Sequence, residues 1–236
     1  MNPSSAQLQS RNLRTERTRS ALVAAGRQLF SEHPVDAVTV DDIVRAAKVG
    51  KGSFYNHFAD REALLRAISS EIRASIEHAV ALANADIADP ARRVARAICV
   101  YLRWAVDDPE RGRVLARVQS GVTSLAAPLN RGLVDDIAQG LTTARFGLAT
   151  LEAGVLYVIG ITQIALVRVL EEPTSNIAVG IAQQMCTLTL RGLGVEGVGA
   201  DLIATQASDE IVRQDSHAHE RGSRVESAPH QQGKQL

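Results

Sequence analysis

Aromatic rings are scarce in this chain: Phe, Tyr and Trp together make up 3% of its 236 residues. Cysteine is scarcer. Two thiols in a chain of this length cannot form a disulfide framework, so stability must come from a packed core, and a reducing compartment fits best. Charge of one sign does not dominate, since Lys and Arg number 26 and Asp and Glu also number 26. That balance excludes a uniformly basic coat for nucleic acid. The opening MNPSSAQLQSRNLR has no apolar core of signal-peptide length. The uncharged run from Ala153 to Val167 falls short of the ~20 residues that a membrane span needs. A cytoplasmic protein without a membrane partner is therefore expected. Phosphate-binding loops, CxxC pairs and HExxH motifs are all missing, and His217 and His219 on a polar tail are two ligands rather than a metal site. No catalytic residue, metal or cofactor is expected. Ser53 and His57, four apart, have the spacing of a nucleophile and its base, but no third residue accompanies them to orient the pair.

What the chain does have is helix. An apolar fraction of 45% supplies a core, and no stretch shows the alternation of a strand. Charge is segregated along the chain: residues 11–20, RNLRTERTRS, hold four Arg and one Glu, whereas residues 201–236 hold six acidic and four basic residues. Residues 1–13 read as a disordered tail. From Arg14 the apolar positions Leu22, Ala25, Leu29 and Phe30 follow helical spacing, and Pro34 ends the helix near His33. Thr39 with Asp42 makes a capping-box-like start for a second helix, whose buried face is Val40, Ile43, Val44 and Ala47. Val49 and Gly50 form a turn, Gly52 to His57 a short third helix, and Asp60 caps a fourth that runs to about residue 80. Further helices are predicted over 91–106, 110–119, 128–144, 148–171 and 175–193. Asp108-Pro109 and Glu172-Pro173 act as stops, and Gly194 as a left-handed terminator. After Val198 the composition turns polar, which reads as a flexible tail over 199–236.

Two short helices joined by a tight turn form a helix-turn-helix, in which the second helix enters the DNA major groove by its N-terminal end. That end is Gly50, Lys51, Gly52 and Ser53. Gly52 lets backbone approach the duplex, Lys51 brings charge to phosphate or a guanine edge, and Ser53 donates and accepts. Phe54 and Phe58, four apart, share the face that anchors the helix to the core. Tyr55 and Asn56 point elsewhere, the tyrosine as a phosphate ligand. Thr39, at a helix N-terminus, is placed for a phosphate oxygen.

The segments RTERTRSALVAAGRQLFSEH, VTVDDIVRAAKVGKGSFYNHF and ADREALLRAI resemble the DNA-binding domain of the TetR (tetracycline-repressor) family of bacterial transcription regulators. Its signature G-x-x-x-[LF]-Y-x-[HY]-F is met by Gly50 to Phe58. The resemblance implies an all-α fold: a three-helix helix-turn-helix domain over 14–60, a fourth helix from 60 linking the units, and a helical effector-binding and dimerisation domain over 61–198. It implies DNA contacts from Thr39, Gly50, Lys51, Gly52, Ser53, Tyr55, Asn56, His57 and Arg61, with Arg14 and Arg17 near phosphate or the minor groove. It also implies a homodimer through the last two helices on a palindromic operator, released by a small apolar or amphipathic effector. For the effector pocket the residues combining apolar bulk with a polar handle on central helices are Tyr101, Trp104, Phe146, Tyr157 and Gln163. An effector-independent DNA-binding protein is the alternative, and an all-helical enzyme a more distant one.

Overall fold

A computed structural model describes residues 5–118, 123–127 and 130–213. Ten α-helices succeed one another with no strand among the described residues: α1 (Ser5–Glu32), α2 (Val40–Ala46), α3 (Lys51–Tyr55), α4 (Arg61–Ala83), α5 (Pro90–Asp107), α6 (Pro109–Arg117), α7 (Arg131–Thr142), α8 (Leu151–Glu171), α9 (Ser175–Gly192) and α10 (Gly197–Ala207). Short polar side chains start most of them. Thr39, Asp60, Asp89, Asp108, Thr150 and Thr174 each accept a backbone N–H of the first turn, and Pro90 and Pro109 follow where no N–H is required.

At Thr39 the capping box is complete. Its Oγ1 accepts from Asp42 N at 3.2 Å, while Asp42 Oδ2 accepts from Thr39 N at 3.1 Å and from its hydroxyl at 2.6 Å. The Thr39 hydroxyl holds the Asp42 carboxyl below its usual range. One turn on, α2 ends with Val49 N donating to Val44 O and Lys48 N to Arg45 O, which is the Schellman pattern. The residue forced into the left-handed region is Lys48, at φ 55.

Around this corner Leu22, Phe30, Ile43, Phe54, Phe58 and Leu64 form one apolar cluster, and all but Phe58 are fully buried. The first half of α4 faces it, and the second half turns Ile72 and Ile76 into the larger unit. Gly26 allows α1 and α4 to touch, since a Cβ there would meet Leu64 Cδ2 at 2.8 Å. The larger unit is built around α5, which buries Val94, Ile98, Cys99 and Leu102 against α4, α7, α8, α9 and α10. The Cys99 and Cys186 sulfurs lie 3.9 Å apart as free, buried thiols bridging α5 and α9.

Two ends of the chain differ from the sequence expectation. Helix α1 begins at Ser5, not Arg14: residues 5–13 lack apolar periodicity, yet good helix formers such as Gln and Ala extend the helix past the point where packing supports it. The tail expected to be flexible from residue 199 is helical to 213. Ala200, Ile203, Ala204 and Ala207 are buried along one face of α10, and a π-helical turn, Ser208–Arg213, buries Val212. The spacing is helical, but three of those four contacts are alanines, so composition hides the stripe. Arg191 grips Asp201 with one nitrogen at 2.9 and 2.8 Å, Gln183 donates to Thr205, and Arg103 donates to Val212 O at 3.1 Å, closing this cap on α5 and α9. The histidines at 217, 219 and 230 lie outside the described residues.

Candidate nucleic-acid interface and interior cavity

The leading end of α3 is open to solvent. Gly50, Lys51 and Gly52 are exposed, and a Cβ built on either glycine would meet nothing within 4 Å. The protein's own packing therefore requires no glycine there. Space is left for a surface from outside. Phe54 is fully buried and Phe58 nearly so, fixing this five-residue helix, while Tyr55 is 53% exposed with its ring edge-on to Phe54 at 5.4 Å. Ser53 and His57 are half-buried, with no hydrogen bond joining them, and Asn56 is exposed.

Charge at this corner is held in provisional pairs. Lys51 Nζ lies 2.8 Å from Asp41 Oδ1, a contact that raises the lysine's pKa. Arg45, with 76% of its side chain exposed, reaches Asp42 at 3.1 Å. Exposed pairs of this kind contribute little, roughly 0–1 kcal/mol, so exchanging a carboxylate for a phosphate is inexpensive. Arg45 and Lys48 stand at the same corner, although the sequence did not single them out. Lys48 is exposed and immediately precedes the turn, and its signal was the absence of glycine at a left-handed helix end.

Arg61 is placed differently from the expectation of a phosphate contact. Its Nη1 donates to Val38 O at 2.9 Å and Asp36 O at 3.2 Å, and its other nitrogens bind Glu62. It ties α4 to the loop before α2. Arg14 and Arg17 are exposed on α1.

The second feature is a cavity of about 320 Å³ between α4, α5, α7 and α8. Its walls are largely aliphatic, including Ile98, Leu133, Val158 and Leu166. Tyr101 and Gln163 line it as the sequence suggested. Tyr101 donates to Glu77 Oε1 at 2.7 Å, and Gln163 Nε2 donates to Ala116 O at 3.0 Å. Burial pushes the Glu77 carboxyl and the Tyr101 phenol both upward. The other three candidates do not line the cavity. Trp104 lies under the Arg111 guanidinium, 5.8 Å from its ring centre. Phe146 fills the space over Gly140, where a Cβ would come within 2.0 Å of its ring. Tyr157 spans α8 to α9, donating to Leu188 O at 3.1 Å across Gly192. In their place stand Arg73, Glu77 and Asn84, polar residues on α4. Among the described residues no cluster of three His, Cys, Asp or Glu could hold a metal ion.

A third feature is an unpartnered apolar face. Ala153, Leu156, Gly160, Ile164 and Val167 follow one another at helical spacing on α8 and are all exposed, Ile164 to 67%, and Leu188 on α9 is 53% exposed. By length and composition α8 could cross a membrane.

An exposed helix-turn-helix on an all-helical body is an architecture found among DNA-binding transcription regulators. Residues 22–68 match the family of bacterial regulatory proteins described as the tetR family. The transcriptional repressor DhaR of Mycobacterium sp. (strain GP1) is 36% identical over 72 residues, 30% of this chain and 36% of that protein. The A-factor receptor protein of Streptomyces griseus is 32% identical over 68 residues, 29% of this chain and 25% of the receptor. These matches thus span about a quarter to a third of the relatives' length. Over a longer stretch the fold resembles that of RolR in complex with the ligand resorcinol: TM-score 0.54 at 26% identity, covering 82% of this chain and 95% of that one. By name, DhaR is a transcriptional repressor and the Streptomyces griseus protein a receptor.

Proposed function

We propose that the chain is a homodimeric repressor that leaves a palindromic operator when a small molecule enters the cavity between α4, α5, α7 and α8, and that it acts in the cytoplasm. The observation that carries the DNA half of this reading is the open space at Gly50 and Gly52 beside exposed Lys51 and Tyr55. Thr39, Ser53, Asn56 and His57 flank it, and Arg45 and Lys48 join them as phosphate contacts.

Dimerisation is supported by the α8–α9 face. Gly160 and Gly180 each leave open space where a Cβ would stand, so a second helix can approach closely. Lipid is a poorer occupant, because the opposite face of α8, with Val155, Val158 and Leu166, already lies in the protein core. A two-fold pair of heads, about one turn of DNA or ~34 Å apart, reads an inverted repeat.

Coupling is supported by three consecutive residues at the end of α6. The cavity residues Gln163 and Arg73 hold the carbonyls of Ala116 and Val118. Between them Arg117 donates to Phe30 O at 2.7 Å and His33 O at 2.6 Å, at the end of α1 in the DNA-binding unit. A ligand that draws Gln163 or Arg73 inward shifts the α6 terminus and, with it, α1. The names of two relatives fit: one is a receptor protein, and the other was solved with a bound phenol.

The test is a mobility shift on DNA from the promoter next to the chain's own gene, at fixed salt. Lys51→Ala and Tyr55→Ala should each weaken binding about tenfold, equivalent to ~1.4 kcal/mol, and Lys51→Ala should lower the salt slope by about one unit. Unchanged affinity in both variants would remove α3 as the reading helix.

A further inference from the structure

The cavity's polar groups are unevenly satisfied, and the imbalance specifies a ligand. Asn84 is fixed by its amide nitrogen, which donates to Arg93 O at 3.1 Å. Its Oδ1 is buried with no hydrogen-bond partner, the one such side-chain atom among the described residues. A buried acceptor left unmet is unfavourable, and a native structure retains one where a partner is to arrive. Two turns earlier on the same face of α4, Glu77 accepts from Tyr101 with one oxygen, and its other oxygen has no protein donor among the described residues.

The donors of the wall are in use. Arg93 binds Asp136, Gln139 and the carbonyls of Ile87 and Ala88, Arg73 binds Val118 O, and Gln163 binds Ala116 O. The site therefore offers acceptors. Charge in the wall cancels, Arg73 and Arg93 against Glu77 and Asp136, with Asp135 exposed to solvent. Anions find no open cation, and the aliphatic remainder favours a neutral molecule.

We propose that the cavity takes a small neutral molecule carrying two hydrogen-bond donors, hydroxyls above all, one received by Glu77 and the other by Asn84. This rests on the reading of the cavity as the effector site. Residues 77 and 84 are ~10 Å apart along the helix axis. Subtracting two hydrogen bonds of ~2.8 Å leaves donors roughly 5 Å apart, the span of hydroxyls on one small ring system or a short polyol. At interior packing density the volume holds roughly ten to fifteen non-hydrogen atoms.

The experiment is calorimetric titration of the DNA-free protein with matched sets built on two scaffolds, naphthalene and an eight-carbon chain. Each set comprises the diol, its dimethyl ether and the corresponding carboxylate. On at least one scaffold the diol should bind at least about tenfold more tightly than the ether and the carboxylate. Asn84→Leu should cut the diol-to-ether ratio several-fold, leaving the part owed to Glu77, while thermal stability changes little, because the unmet acceptor goes together with the Arg93 contact. Glu77→Gln should admit the carboxylate. Ethers or carboxylates that match the diols on both scaffolds would overturn the proposal, and so would a set in which no diol saturates. Operator binding is measured separately. A chain that binds operator but prefers carboxylates loses only this inference, and one that prefers diols but ignores DNA loses only the regulatory reading.

Discussion

Two helices of this protein end in the same hydrogen-bond pattern with different residues at the critical point. At the end of α2 the left-handed residue is Lys48, at φ 55, and at the end of α9 it is Gly194, at φ 91. Val49 N reaches Val44 O in the first case, and Val195 N reaches Leu190 O in the second. The difference lies in what surrounds them. Lys48 is on the surface, where only its own backbone objects to a side chain, at roughly 1 kcal/mol. Gly194 faces the chain between α7 and α8, where a Cβ would stand 2.7 Å from Gly147 N and 3.0 Å from Gly147 Cα. Packing dictates the residue inside the body. At the exposed corner of the helix-turn-helix strain is accepted, and a positive charge is kept where glycine would be easier. Gly194→Ala should accordingly cost the most, ~2–4 kcal/mol, read as a lowered denaturant midpoint at unchanged slope. A loss below about 1 kcal/mol would mean that the body tolerates substitution as the head does.

The junction between the two regions comes next in size. Arg117 donates from the end of α6 to the carbonyls of Phe30, in α1, and His33, just beyond it. Removing it with Arg117→Ala should cost ~1.5–3 kcal/mol, because hydrogen bonds from a charged group are lost and two carbonyls are left to water. Its more specific effect is on coupling. Operator affinity without ligand should change less than the ligand's power to release the operator. If release is unaffected, the α6 terminus is scaffolding and the signal passes through α4 alone.

Local chemistry was legible in the sequence, and distant chemistry was not. The Thr39–Asp42 box, the Asp60 cap, the proline stops and the Gly194 terminator are decided within four or five residues, and each was read in place. The fold class followed from them. The internal partners of Arg61 were not legible, because the carbonyls that hold it belong to residues 36 and 38, more than twenty positions away. In the cavity, aromatic bulk proved a poor guide. Phe146 and Tyr157 fill gaps left by Gly140 and Gly192, while much of the polar lining comes from Arg73, Glu77 and Asn84, on the helix read in the sequence only as a link between the units. Helix α10 was hidden because alanines supply most of its buried stripe.

Lys48→Gly sharpens the comparison from the other side. Stability should rise by ~0.5–1 kcal/mol, since left-handed geometry suits glycine better, with the greater freedom of glycine in the unfolded chain trimming the gain. Operator affinity should fall at the same time, with a salt slope smaller by about one unit. A variant that is more stable and binds DNA equally well would leave the lysine without a role.

The smallest expected effect concerns the body's buried acid. Burial raises the Glu77 carboxyl above its ordinary 4.5, with the Tyr101 hydroxyl pulling weakly the other way. Between the ordinary value and the raised one the folded chain holds a proton that the unfolded chain has released, so stability falls as pH rises through that window. Above it the folded protein carries a charged carboxylate in an apolar wall. Glu77→Gln removes that charge and keeps an acceptor for Tyr101, so it should leave stability unchanged in acid and raise it at neutral pH, by on the order of 0.5 kcal/mol. The exposed acids of the head behave oppositely: the Asp42 carboxyl is held low by Thr39, and its contribution is lost as pH falls. Denaturation of Glu77→Gln and Asp42→Asn across pH should therefore give differences from the parent that grow in opposite directions as pH rises through the carboxylate range. Parallel profiles would mean that the Glu77 carboxyl is as well hydrated as those on the DNA-facing surface.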